Sequence, residues 1–128
     1  MAKRITALDA ERADNRQALD SAVNDIAPEL CELHVVGAVV AGCVLMTWSH
    51  PGRVRSEAAF ASLAGTCPIL ASSGNTVRHR LNRGVDRRLN RALTTVVIVD
   101  MRTHPPTCAY VARRRHEGRT TKEIMRSL

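Results

Sequence analysis

The sequence predicts a small, mainly α-helical domain carrying a helical arm at its N-terminal end. Three observations point there. The chain has 128 residues, enough for one domain, or one small domain with an arm. Its apolar content of 45 % is ample for a core, yet aromatic content is only 2 %, supplied by Trp48, Phe60 and Tyr110. Ala, Val and Leu must therefore fill the interior, and apolar residues recur at helical spacing in the first and last thirds of the chain. Three scattered rings also exclude nucleic-acid readers that stack bases along an aromatic-lined sheet.

Residues 4–27 carry Ile5, Leu8, Leu19, Val23 and Ile26 at helical spacing, continued by Leu30, with Asp9, Glu11 and Asp14 near the start, where the helix dipole favours acids. Only alanines at 10, 13 and 18 fill the middle of that stripe. Two readings are open: an arm that needs a partner helix, as in a coiled coil, and a solvated helix that ends before Pro28. The expected boundaries are 1–27 for this arm or linker and 28–128 for the main domain. Within it, 28–50 forms a helix-hairpin-helix-like element. Pro28 opens a short helix through Glu32, a turn follows at His34–Gly37, and Ala38–Trp48 forms a second helix closed by His50-Pro51-Gly52. The apolar run Val35–Trp48 spans 14 residues. A membrane span needs ~20, so the run reads as a buried helix.

Ser56 is placed to cap a helix over Glu57–Ala64, with Gly65 as its stop. Residues 66–84 lack a clear period and read as extended or looped, with room for a small hairpin. A long helix starts near Asp86 and runs to Met101, its apolar side built from Leu89, Leu93, Val96, Val97 and Val99. Pro105-Pro106 ends that segment, a short helix follows near Thr107–Arg115, and Thr120 with Glu123 forms a capping box for a last helix.

The net charge of +7 is unevenly placed: residues 1–56 are net −1 and 57–77 another −1, whereas 78–101 are net +4 and 102–128 net +5. A polyanion is the physical reading of such a basic half, nucleic acid ahead of a membrane surface. The four cysteines, at 31, 43, 67 and 108, lack zinc-knuckle spacing, and the five histidines show no ligand spacing. Reduced, mostly buried thiols in a cytoplasmic, nucleoid-associated protein are expected, with no signal peptide and no membrane partner.

Chemistry concentrates in the run Ala71-Ser72-Ser73-Gly74-Asn75-Thr76 and the arginines that follow it. Arg78, Arg80, Arg83, Arg87, Arg88 and Arg91 face only Asp86. A guanidinium matches phosphate in a bidentate fork and stays charged. Arg87 and Arg91 lie one helical turn apart and share a face. A serine beside such a cluster either attacks a phosphodiester or only holds one. Attack needs a base to take the hydroxyl proton, and His79 is a candidate by proximity alone. The Leu33…Gly37 turn offers a further phosphate contact through exposed amides of the following helix, with a plain core hairpin as the alternative. Val35 stands where that turn type expects its first glycine, and a β-branched residue resists positive φ.

The ordered set Leu33/Gly37, Phe60/Leu63/Gly65/Pro68, Ser73-Gly74, Arg80-to-Gly84 and Leu89-Asn90-Arg91-Ala92-Leu93 resembles the C-terminal, serine-bearing domain of bridge-RNA-guided insertion-sequence transposases of the IS110/IS116/IS902 group. The later Arg102, Pro105, Tyr110, Arg113-Arg114-Arg115 and Lys122-Glu123-Ile124 resemble it too, so the likeness covers roughly 28–126. The resemblance implies that Ser73, with Ser72 as the positional alternative, attacks DNA to form a covalent phosphoserine intermediate. From the residues themselves, Gly37 of the turn and Arg78, Arg80, Arg83, Arg87, Arg88 and Arg91 are the expected nucleic-acid-binding residues. DNA is the implied partner, with a guide (bridge) RNA beside it; the weak apolar stripe of the arm separately suggests self-association through the N-terminal helix. In that group a divalent metal is held by an N-terminal DEDD domain that this sequence does not contain, so no cofactor is expected in this chain. A truncated transposase is then expected, inactive on its own. The alternative is a noncatalytic nucleic-acid-binding or assembly module left from a transposase gene.

Overall fold

The computed structural model describes residues 2–67, 69, 70, 74, 79, 80, 82 and 84–128. The chain is mainly helical, in the order α1 (Ala2–Ile26), α2 (Glu29–Glu32), α3 (Ala38–Trp48), α4 (Glu57–Ala64), β1 (Ile69–Leu70), β2 (His79–Arg80), α5 (Arg87–Thr103), α6 (Pro105–His116) and α7 (Thr121–Ser127). The two short strands pair antiparallel, Ile69 opposite Arg80 and Leu70 opposite His79.

Helix ends follow local chemistry. Ser56 Oγ accepts from the Ala59 amide, and Gly65 closes α4 in the left-handed region at φ 73°. Thr120 and Glu123 form the reciprocal capping box that starts α7. The prolines at 105 and 106 do more than end α5. They occupy the first positions of α6, which begins two residues earlier than expected, because a proline at a helix start loses only an amide that has no partner there.

Three small clusters make the interior. Val23 of α1 packs on Ala38 and Ala41 of α3, with Leu19, Leu30, Cys31, Val36 and Leu45 around them. The absence of a side chain at Gly42 lets Leu19 approach closely; a Cβ there would meet Leu19 Cδ1 at 3.2 Å. Leu89 is fully buried at the first turn of α5, where α4 packs. Val111 of α6 and Ile124 of α7 are buried further on. Such a divided core leaves surface uncovered. Helix α3 is buried on one face only: Val39 is 60 % exposed and Met46 68 %. This corrects the expectation of a buried helix, since α1 and α5 together cover only part of its circumference. The thiols are free, but Cys31, Cys43 and Cys108 are half-buried and Cys67 is exposed, so none is fully buried. In α1, residues 3–18 are exposed throughout, Ile5 and Leu8 included.

The α2–α3 turn holds a conformational cost. Val35 adopts φ 66°, the left-handed conformation that the sequence pattern assigns to glycine. A β-branched residue reaches that region at a cost of ~1–2 kcal/mol. Replacing Val35 by Gly is therefore expected to stabilise the domain by ~1 kcal/mol in urea unfolding. Gly65→Ala is expected to do the reverse by ~2 kcal/mol or more, because its Cβ would meet Val85 Cγ1 at 2.8 Å in a left-handed position.

Candidate nucleic-acid interface

The basic corner of the fold lies where α3 ends and α5 begins. Asp86 organises it. Its carboxylate oxygen Oδ1 accepts from the amides of Arg88 at 2.8 Å and Leu89 at 3.0 Å, capping α5. Its other oxygen accepts from the hydroxyl of Thr47, 3.3 Å away on α3, where Thr47 is buried. The amide of Asp86 donates to the Leu63 carbonyl of α4 at 2.9 Å. Beside it, the Asn90 side-chain amide donates to the Ala64 carbonyl at 2.7 Å. Helices α3 and α4 thus fix the first turn of α5.

The amide of Leu89, chiefly, holds the Asp86 carboxyl below the ordinary carboxylate range; the Arg88 amide, the Thr47 hydroxyl and the Arg88 charge add to this, against a smaller opposing effect of burial. A carboxylate committed to two amides and a hydroxyl is poorly placed to neutralise the surrounding cations. Arg87, Arg88 and Arg91 are exposed. None of them pairs with a carboxylate among the described residues. Arg87 and Arg88 line a shallow groove of about 380 Å³ with Cys43, Met46, Thr47, Arg53 and the capping Asp86. Arg53, from the α3–α4 connection, was not singled out by the sequence pattern. It stands outside the arginine-dense run, and only the turn after α3 brings it beside Arg87 and Arg88.

The other expected site residues are distributed unevenly. Ser73, its alternative Ser72, Arg78 and Arg83 lie outside the described residues, and Arg80 is described in its backbone alone. Gly74, next to Ser73, is exposed and left-handed at φ 59°. Gly37 forms the N-cap of α3 at φ −90°, with no side-chain cap on that helix end and open space where a Cβ would stand. It sits at the opposite end of an 11-residue helix from the arginine groove, ~15 Å away. The structure therefore does not join Gly37 and Arg87 into one contact point. Residues 28–50 hold α2 and α3 joined by a turn whose left-handed position falls on Val35, with Gly37 at φ −90°.

A second basic segment closes α6, whose last turn holds Arg113, Arg114, Arg115 and His116, as the helix dipole favours. Arg114 pairs with Glu117, and Arg119 approaches Glu123 at 3.6 Å. The guanidinium of Arg113 lies 5.4 Å from the centre of the Tyr110 ring. Among the described residues no helix is long and apolar enough to cross a membrane.

Comparison with known proteins now places the fold. The family described as Transposase IS116/IS110/IS902 matches residues 27–112, more than half of the chain. The chain belongs to this transposase family. It is also 29 % identical over 121 residues to the uncharacterized 43.6 kDa protein of insertion element IS110 from Streptomyces coelicolor, an alignment covering 88 % of this chain and 30 % of that relative. The chain thus spans under a third of the length of that relative. The matched region contains the whole Asp86 corner, the arginine groove and the Ser73-Gly74 pair.

Because the folded-state value of Asp86 is depressed, its stabilisation is present above the ordinary carboxylate range and is lost as pH falls through that depressed value. Urea midpoints are therefore expected to fall between about pH 5 and pH 3. Asp86→Ala is expected to cost ~1 kcal/mol at neutral pH through loss of the cap and to flatten that acid decline.

Proposed function

We propose that this chain is the DNA-binding, serine-bearing domain of a transposase, in which Ser73 attacks a phosphodiester while arginines at the start of α5 hold the strand. The observation that carries the reading is the groove lined by Arg53, Arg87 and Arg88, whose nearest carboxylate is spent on capping. Three guanidiniums around one concavity suit phosphate oxygens, and they neutralise charge that develops during attack. The first-turn amides of Arg88 and Leu89 are already taken by Asp86, so the cationic side chains, rather than the helix end, supply the phosphate contact. Arg91, one turn beyond Arg87, extends the surface, and Arg78, Arg80 and Arg83 precede it in sequence.

In this reading the domain is inactive alone. Metal-dependent steps belong to a DEDD domain, and a guide (bridge) RNA directs the target. The arm α1 supports self-association: its exposed first four turns bury no apolar face of their own, and an isolated helix of that length is marginal in water. The second reading, a noncatalytic nucleic-acid module, is favoured by one observation. Among the described residues lining the groove, no carboxylate or imidazole is free to take a serine proton.

Duplex binding is expected to weaken linearly in log–log form with salt. Arg87→Ala with Arg88→Ala is expected to flatten the slope by ~0.9 per lost phosphate contact. An unchanged slope removes this surface from the interface. In a full-length transposase context, Ser73→Ala is expected to abolish both recombination and the covalent DNA adduct. Persistence of the adduct with DNA binding intact would leave the noncatalytic reading in place.

A further inference from the structure

Two histidines that the sequence separates are brought together at the far end of the α3–α5 pair. His34 lies in the α2–α3 turn, and His104 lies at the corner between α5 and α6. Their ring centres are 5.0 Å apart, with planes inclined at 32°. Each ring is held by its Nδ1 atom. Nδ1 of His34 is 2.6 Å from Asp100 Oδ1, and Nδ1 of His104 is 2.8 Å from Thr107 Oγ1. An ionised carboxylate can only accept, so Nδ1 of His34 carries the proton, and the neutral ring keeps its Nε2 lone pair free. Where the Thr107 hydroxyl accepts from Nδ1–H of His104, the second ring is left in the same state.

We propose that His34 and His104 bind one divalent transition-metal ion of the imidazole-preferring class, with zinc as the first case, through their Nε2 atoms. A carboxylate or hydroxyl orienting the far nitrogen is the arrangement that fixes tautomer and ring direction in metal-ligating histidines. The spacing agrees. Two imidazoles sharing one tetrahedral ion through metal–nitrogen bonds of ~2 Å have their ring centres ~5 Å apart. Among the described residues no group of three or more His, Cys, Asp or Glu is arranged to hold a metal. The site therefore has two protein ligands, and water completes the coordination. Cys108, four residues after His104, points at the carbonyls of Met101 and Asp100, at 3.4 and 3.9 Å. Its role is in the α5–α6 corner. A bound ion would tie the α2–α3 turn to the end of α5, complementing the Thr47–Asp86 contact at the other end.

The test uses the intact, ¹⁵N-labelled chain with its thiols kept reduced, titrated with zinc chloride near neutral pH and followed by long-range ¹H–¹⁵N imidazole spectra. The Nε2 signals of His34 and His104 are expected to shift together and saturate at one equivalent, with those of His50 and His116 unmoved. His34→Gln or His104→Gln is expected to weaken zinc binding at least ~10-fold, and Asp100→Asn by ~10-fold. The wild-type titration needs no variant to fold. Imidazole signals unmoved at saturating zinc, a response from only one ring, or zinc held by the cysteines alone would each overturn the proposal and leave the pair as a packed aromatic contact.

Discussion

The antiparallel pairing of α3 with α5, closed at one end by the Asp86 carboxylate, is the constraint on which the rest depends. Thr47 on α3 meets Asp86 before α5, and His34 before α3 meets Asp100 near the end of α5. Two polar contacts thus fasten the pair at both ends. Asp86 matters more than an ordinary cap because three elements converge on it. Without its side chain the first turn of α5 would lose its cap and its tie to Thr47, while the backbone bond from residue 86 to Leu63 would remain. The buried Thr47 hydroxyl would also lose its acceptor, a cost that exceeds the worth of the bond itself.

The same carboxylate makes no ion pair with the described arginines around it, although the Arg88 charge acts on it. Asp86 is the only acid inside the arginine-dense run, and its oxygens point at backbone amides and a hydroxyl. The cost is mutual repulsion among Arg53, Arg87 and Arg88, which exposure and salt keep small. A polyanion relieves that repulsion when it binds. Such a partner is the one the proposed function assigns to this surface. The remaining basic segment, at the end of α6, is partly neutralised by Glu117 and Glu123 and is explained in part by the helix dipole.

Features written in a few neighbouring residues were legible in the sequence. Ser56 with Gly65, Thr120 with Glu123, and Asp86 before the amphipathic helix each mark a helix end through local hydrogen bonds, and each marks it in the structure. Features set by partners distant in sequence were not. The apolar run of α3 does not reveal that only one face is covered. The double proline reads as an end when it is also a beginning. Arg53 joins Arg87 only through the turn after α3, and His34 meets His104 only because α3 and α5 run antiparallel. The left-handed backbone at Val35 runs against its own side chain, so pattern alone points to glycine. The Ser73 position falls outside the described residues, and the role proposed for it rests on the family likeness.

Cys43 offers a direct view of that groove, since its half-buried thiol lines the same concavity as Arg53, Arg87 and Arg88. The measurement is site-resolved alkylation by mass spectrometry, with and without duplex DNA at low salt. If phosphate occupies the groove, Cys43 alkylation slows several-fold on DNA addition, recovers at high salt, and leaves Cys108 at the far corner unchanged. Equal alkylation of Cys43 with and without bound DNA would contradict the account.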